Sequence, residues 1–227
     1  MGNVFVTKVA VEIDSFLHRL FPITRSITGP GNRETLQILN EIVPIQIKEY
    51  PAGMKVYDWE IPNEWRVRDA WIKDEKGNKL IDFKKSNLHL VSYSEPVHKH
   101  LTFDELKDYL HTHSQMPEAI PYRTSYYKRS WGFCVNKAQY NKLSKSKGKL
   151  EIMIDSDLDS KGSLTLGELL IQGDSKKEIL ISTYICHPSL ANDNLSGALM
   201  TAFLARNLIN SKPKWSYRIV WLPETIG

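Results

Sequence analysis

The run from Glu178 to Gly197 constrains the fold of this chain more than any other. Ile179, Leu180, Ile181, Tyr184 and Ile185 make an apolar, β-prone stretch that ends in Cys186-His187-Pro188. A polar loop holding Asp193 follows, then apolar residues at helical spacing from Ser196 to Leu208. Two further strand-like runs flank this unit, Leu164–Ile171 before it and Tyr217–Leu222 after it. The order strand, strand, helix, strand predicts an α/β fold with a mostly parallel sheet. Functional groups in such sheets gather at the C-terminal strand ends. His187, Asp193 and Glu224 each follow a strand. A histidine with carboxylates suits a divalent metal, zinc first.

Each element has a plainer reading. A single histidine after a buried strand is more often structural than a ligand. Asn192-Asp193-Asn194 before Ser196-Gly197 also suits a loop and helix start, because Asn, Asp and Ser accept backbone N–H bonds there. Glu224 after Pro223 fits a strand-end carboxylate. The order of all three, each at a strand end, is the more specific signal.

His187 followed by Asn192-Asp193-Asn194-Leu195-Ser196-Gly197 resembles the co-catalytic zinc aminopeptidases of the bacterial leucyl-aminopeptidase-like group. The ending Ile219-Val220-Trp221-Leu222-Pro223-Glu224-Thr225-Ile226-Gly227 is similar to that family's strand followed by Glu-Glu-x-Gly. The Leu20–Gly29 segment and an insert before the metal motifs resemble an uncharacterised aminopeptidase-like subgroup. The resemblance implies a hydrolase-like α/β sheet and one or two zinc ions. His187 would be a ligand, Asp193 a bridge and Glu224 the general base. It also marks departures. Ser189 stands where a carboxylate would orient the histidine, the loop from His187 to Asp193 is short, and Thr225 replaces a ligand Glu. The family's later ligands lie beyond residue 227, so the chain is expected to be the front part of an enzyme.

The first twenty residues carry apolar side chains at helical spacing, including Val9, Ile13, Phe16, Leu17 and Leu20. Glu12, Asp14, His18 and Arg19 among them argue against a signal peptide. Pro22–Asn32 is a loop rich in Thr, Ser and Gly that leads into a helix near Arg33–Ile42. Its Arg25 either binds a substrate carboxylate or ties the loop down. Residues 55–162 read as a β-rich insert, with strands near 65–72, 79–83, 88–93, 126–135 and 150–154 and a short helix from Thr102. The outer segments, 1–54 and 163–227, make the aminopeptidase-like domain.

Within the insert, Pro121–Phe133 concentrates Tyr, Trp and Arg, the types that anchor ligands. Arg123, Tyr126 and Tyr127 are its candidates for binding a substrate carboxylate or sugar-like hydroxyls. His98, His100, His111 and His113 lack carboxylates or cysteines at ligand spacing and read as exposed residues.

Two cysteines cannot frame a disulfide scaffold, which favours a reducing, cytoplasmic setting. No apolar run reaches membrane-spanning length. A net charge of +4 is dispersed, and Lys145, Lys147 and Lys149 have no interleaved aromatics, so neither membrane nor nucleic acid is an expected partner. The expected activity is metal-dependent hydrolysis of an amide in a small peptide or amino-acid conjugate. The alternative is a non-catalytic binding or scaffold protein with the same fold. A homo-oligomer is left open.

Overall fold

The computed structural model describes residues 2–126 and 128–223, with the side chains of the first helix described from Lys8 onward. Its packing divides the chain into two compact units, Met1–Glu64 with Ser160–Gly227 and Trp65–Asp159. Residues 55–64 and 160–162, assigned to the insert from sequence, pack with the first unit.

The first unit contains helices α1 (Gly2–Leu20) and α2 (Pro30–Leu39), strand β1 (Gln46–Pro51) and a small antiparallel pair, β2 (Lys55–Val56) and β3 (Trp59–Glu60). The helix start at Pro30 uses the ring's fixed φ, with Gly29 before it at φ 121. After the insert come β10 (Ser163–Ile171), β11 (Ser175–Tyr184), α5 (Ser196–Ser211) and β12 (Trp215–Leu222). The sheet order is β1-β10-β12-β11.

In this sheet, among the described residues, only β11 and β12 pair in parallel, joined by α5; β1 with β10 and β10 with β12 are antiparallel. The mostly parallel sheet expected from sequence is therefore corrected to a mixed one. The short Gln172–Asp174 connection turns the chain back between β10 and β11, and β1, joined to β10 through residues 52–162, also pairs with it antiparallel. A parallel neighbour needs a long crossover, which α5 supplies between β11 and β12.

One face of this sheet is apolar. Leu169, Ile171, Ile219 and the fully buried Trp221 meet Phe16 and Leu20 of α1, Leu36 and Leu39 of α2, and Ala198, Ala202 and Phe203 of α5. Trp221 Nε1 donates to the Ala198 carbonyl at 3.1 Å, fastening β12 to α5. Alternation puts charge on the other face. There Arg218 binds Glu168 and Glu178, and Lys48 also binds Glu168. A strand with charges on alternate positions cannot be buried on both faces, and Leu180 stays 64 % exposed.

The second unit is built on a sheet of order β5-β4-β9-β6. These are β4 (Glu64–Lys73), β5 (Lys79–Asp82), β6 (Val97–Leu101) and β9 (Leu150–Asp159). The β4–β5 turn is capped by Asp74, whose Oδ1 accepts from the N–H groups of Lys76 and Asn78. Helix α3 (Phe103–Leu106) starts in a Thr102/Glu105 capping box and α4 (Lys137–Leu143) in an Asn136/Gln139 one. Between them β7 (Leu110–His111) and β8 (Phe133–Cys134) pair in parallel. Trp65, Ile72, Leu106, Phe133, Leu150 and Ile152 are buried here. The strands expected over 88–93 and 126–135 are, among the described residues, mostly irregular chain, held by bridges such as Leu90 to Phe133.

Candidate functional site

Strand β11 ends at Tyr184, opposite Leu222 of β12. The Ile185 N–H donates to the Leu222 carbonyl at 3.0 Å, so the two strand ends stay side by side. His187 follows at once, 8 % exposed. The chain then makes a kinked turn over Ala191–Leu195, where Asp193 and Asn194 leave helical geometry. Asn194 Nδ2 donates to Thr183 Oγ1 at 2.8 Å and to the Tyr184 carbonyl at 3.3 Å, which holds the turn against the strand. Gly197 makes room for this. A Cβ on it would lie 2.1 Å from Asn194 Oδ1.

These constraints bring His187 Nδ1 and Asp193 Oδ1 to 3.8 Å of each other. Two donors on one tetrahedral zinc, at bonds of about 2.1 Å, would stand roughly 3.4 Å apart. The pair therefore fits a shared cation with little movement. His187 is buried while the Asp193 side chain is 62 % exposed, so the pair has a dry side and an open side. The Tyr184 hydroxyl donates to Asp193 Oδ1, and the Tyr184 ring meets the His187 ring edge-on at 5.2 Å. Tyr184 escaped the sequence reading. Its one signal is its place as the last residue of the strand that delivers His187. Glu224 and Thr225 lie outside the described residues. Among the described residues, no three His, Cys, Asp or Glu side chains gather as a metal cluster.

Arg25 lies in the same unit, 2 % exposed. Its Nε donates to the His187 carbonyl at 2.9 Å and its Nη1 to the Leu20 carbonyl at 2.6 Å. Of the two roles read from sequence, this geometry is that of a tie. Burial pushes the guanidinium down to about 10, against the nearby Cys186 and Glu34, which act the other way; it stays charged at neutral pH. The loop around it is equally closed. Ser26, Ile27 and Thr28 are buried, and Asn32 Nδ2 donates to the Ser26 carbonyl at 2.7 Å. A Cβ on Gly31 would meet the Thr24 carbonyl oxygen at 2.0 Å.

Arg123 and Tyr126 belong to the second unit, where they line a cavity of about 510 Å³ with Val91, His111, Lys128 and Trp131. The Ser92 N–H donates to the Arg123 carbonyl at 2.9 Å. Trp131 stacks on Tyr109 at 3.9 Å. Burial, helped by the Arg123 charge, holds the His111 imidazole below its ordinary pKa. Tyr127 lies outside the described residues. His98 is exposed, as expected, but it does meet a carboxylate: Glu151 of the neighbouring strand, at 2.9 Å. Cys134 and Cys186 are buried free thiols, and burial pushes Cys134 up to about 12. Among the described residues no helix is long and apolar enough to cross a membrane.

A Clostridium acetobutylicum protein named "Putative polysaccharide biosynthesis protein with aminopeptidase-like domain" is 50 % identical over 216 residues, covering 95 % of this chain and 49 % of that protein. The chain thus spans about half the length of this relative. A crystal structure of a "putative peptidase" from Clostridium acetobutylicum superposes with a TM-score of 0.93 at 47 % identity, over 99 % of this chain and 53 % of that one. A zinc aminopeptidase from Bacillus subtilis matches with a TM-score of 0.55 at 9 % identity, over 92 % of this chain and 59 % of its own, a likeness of fold alone. A family model described as a domain of unknown function, DUF4910, matches residues 14–227, and the chain belongs to that family.

Proposed function

We propose that this chain is part of a metal-dependent hydrolase of the aminopeptidase type. Its substrate would be an amide at an N-terminal amino acid or an amino-acid conjugate. The observation that carries this reading is the meeting of His187 Nδ1 and Asp193 Oδ1 at 3.8 Å, beside the paired ends of β11 and β12. The aminopeptidase-like domain in the relative's name and the shared fold support it.

His187 and Asp193 would hold one or two zinc ions. A metal bound there supplies a polarised carbonyl and a bound water of lowered pKa. Asp193 presents its carboxylate to solvent with Tyr184 fixing one oxygen. His187 offers a ring whose burial excludes competing water. Glu224, which follows Leu222-Pro223 in the motif that resembles the family's, would take the proton from the attacking water and return it to the leaving amine. Arg123, Tyr126 and Tyr127 would bind substrate in the second unit. A scaffold protein is the second reading. One observation favours it: Ser189, where the resemblance implies a carboxylate, spends its hydroxyl on the Phe21 carbonyl.

The test uses the full-length protein. Glu224→Gln keeps the side chain's shape and removes the proton acceptor, so hydrolysis of aminoacyl amides should fall about 10²–10⁴-fold at equal zinc occupancy. Equal rates would remove Glu224 from the reaction. Loss of zinc from the variant would make Glu224 a ligand instead. A full-length protein that neither retains zinc nor cleaves any aminoacyl amide would leave the scaffold reading.

A further inference from the structure

The turn that carries His187 is held by its main chain and its neighbour. Arg25 Nε donates to the His187 carbonyl across 162 positions of sequence. Ser189 Oγ donates to the Phe21 carbonyl at 2.8 Å across 168 positions. Arg25 Nη1 reaches the Leu20 carbonyl, so the same guanidinium grips both sides of the gap. The 187–189 turn is thereby clipped to the C-terminal end of α1 and the residues just after it.

The residue types matter. A guanidinium is a planar fork of five N–H donors, able to serve two carbonyls in fixed directions, whereas an ammonium is a point donor. Burying that charge is costly, and the bonds to main-chain oxygens offset the cost. Ser189 has φ 41, a left-handed turn conformation. Its hydroxyl donates to the Phe21 carbonyl, and the Arg25 bond to the His187 carbonyl completes the clamp on the turn.

We propose that Arg25 and Ser189 form a clasp that positions His187 through its backbone. Both are positioning residues. The consequence for metal binding rests on the reading of His187 as a ligand; the clasp itself does not. It also accounts for Ser189 at a position where the resemblance implies an acid.

The test compares Arg25→Lys and Ser189→Ala with Asn32→Ala in the full-length protein. Asn32 ties the same loop through the Ser26 carbonyl and has no bond to 187–189. Three quantities are read: the His187 imidazole signals in a ¹H–¹⁵N spectrum, assigned by their loss in His187→Gln; the zinc Kd; and the urea midpoint. Arg25→Lys and Ser189→Ala should displace or broaden the His187 signals and weaken zinc binding about 10–100-fold, as for other supports of metal ligands. Asn32→Ala should lower the urea midpoint and leave both in place. The clasp is overturned if the His187 signals stay put in Arg25→Lys, or move as far in Asn32→Ala. If Arg25→Lys does not fold, Ser189→Ala decides alone, and unchanged His187 signals in it overturn the clasp. A wild-type full-length protein that takes up no zinc sinks the metal reading, while the His187 spectra still decide the clasp.

Discussion

Arg25 and His187 share a hydrogen bond across 162 positions. In the second unit, by contrast, Arg123, Tyr126, Lys128 and Trp131 share a cavity and all come from one loop. The first arrangement exists only when both ends of the chain are packed into one core. The second draws on its own loop, on the irregular chain at Val91–Ser92 and on His111 of β7. A site closed by long-range contacts costs more loop-closure entropy and is expected to fail with its core. A local pocket is expected to fail with its loop.

The largest effect that bears on this contrast is loss of a core ring. Trp221→Ala, at a fully buried position, should cost about 3–5 kcal/mol in urea unfolding and disturb the His187 signals as well. The contrast breaks if that much stability is lost while His187 is unmoved. Next is the ion-pair network at the unit's own edge. Arg33 binds Glu64 and Glu49, and Glu64 is 1 % exposed. Arg33→Met leaves that carboxylate buried with a lost partner, for about 3 kcal/mol by chemical denaturation.

A smaller effect separates the units by pH. In the second unit, burial holds the His89 imidazole below its ordinary 6.5, against the bond its ring makes to the Cys134 carbonyl. The unfolded chain then takes the proton first. Stability is full above 6.5 and declines as pH falls through 6.5 toward the lower folded value. In the first unit, Lys48 and Arg218 hold Glu168 below 4.5, so its contribution is full above 4.5 and is lost as pH falls through the lower folded value. Urea midpoints at pH 7.5 and 5.5 should differ in the wild type and differ less in His89→Gln. An unchanged difference would remove His89 from the account. The smallest effect is expected at Arg68, whose bonds to Asp155 and Asp157 are open to solvent. Arg68→Ala should leave the midpoint within error, since exposed pairs contribute little.

What sequence made legible follows the same line. Thr102 and the run from Ser196 into α5 are local signals, and each helix formed near its expected place. The Asn136/Gln139 box that starts α4 is just as local and was open to the same reasoning. Strand direction was not legible, because it belongs to a pairing and not to a segment. The reversal at Gln172–Asp174 decides it. His187 and Asp193 were legible as a pair because a short loop separates them. The burial of Arg25 was not, because its acceptors come from Leu20 and His187. The loop's composition alone left Arg25 between a substrate contact and a tie of the loop.

The pairing of β11 with β12 has a consequence for how the candidate site can go wrong. Thr183 stands opposite Trp221, and Leu180 opposite Arg218. Sliding β12 by one residue would turn Trp221 outward and Arg218 into the apolar face. The next slip that keeps each face in its own medium is two residues, about 6.6 Å along the strand. Displacement between the two strand ends is therefore stepwise. A damaged sheet would divide into molecules with the two strand ends in register and molecules with them displaced, and an averaged His187 signal would report a head count, not a gradual loosening.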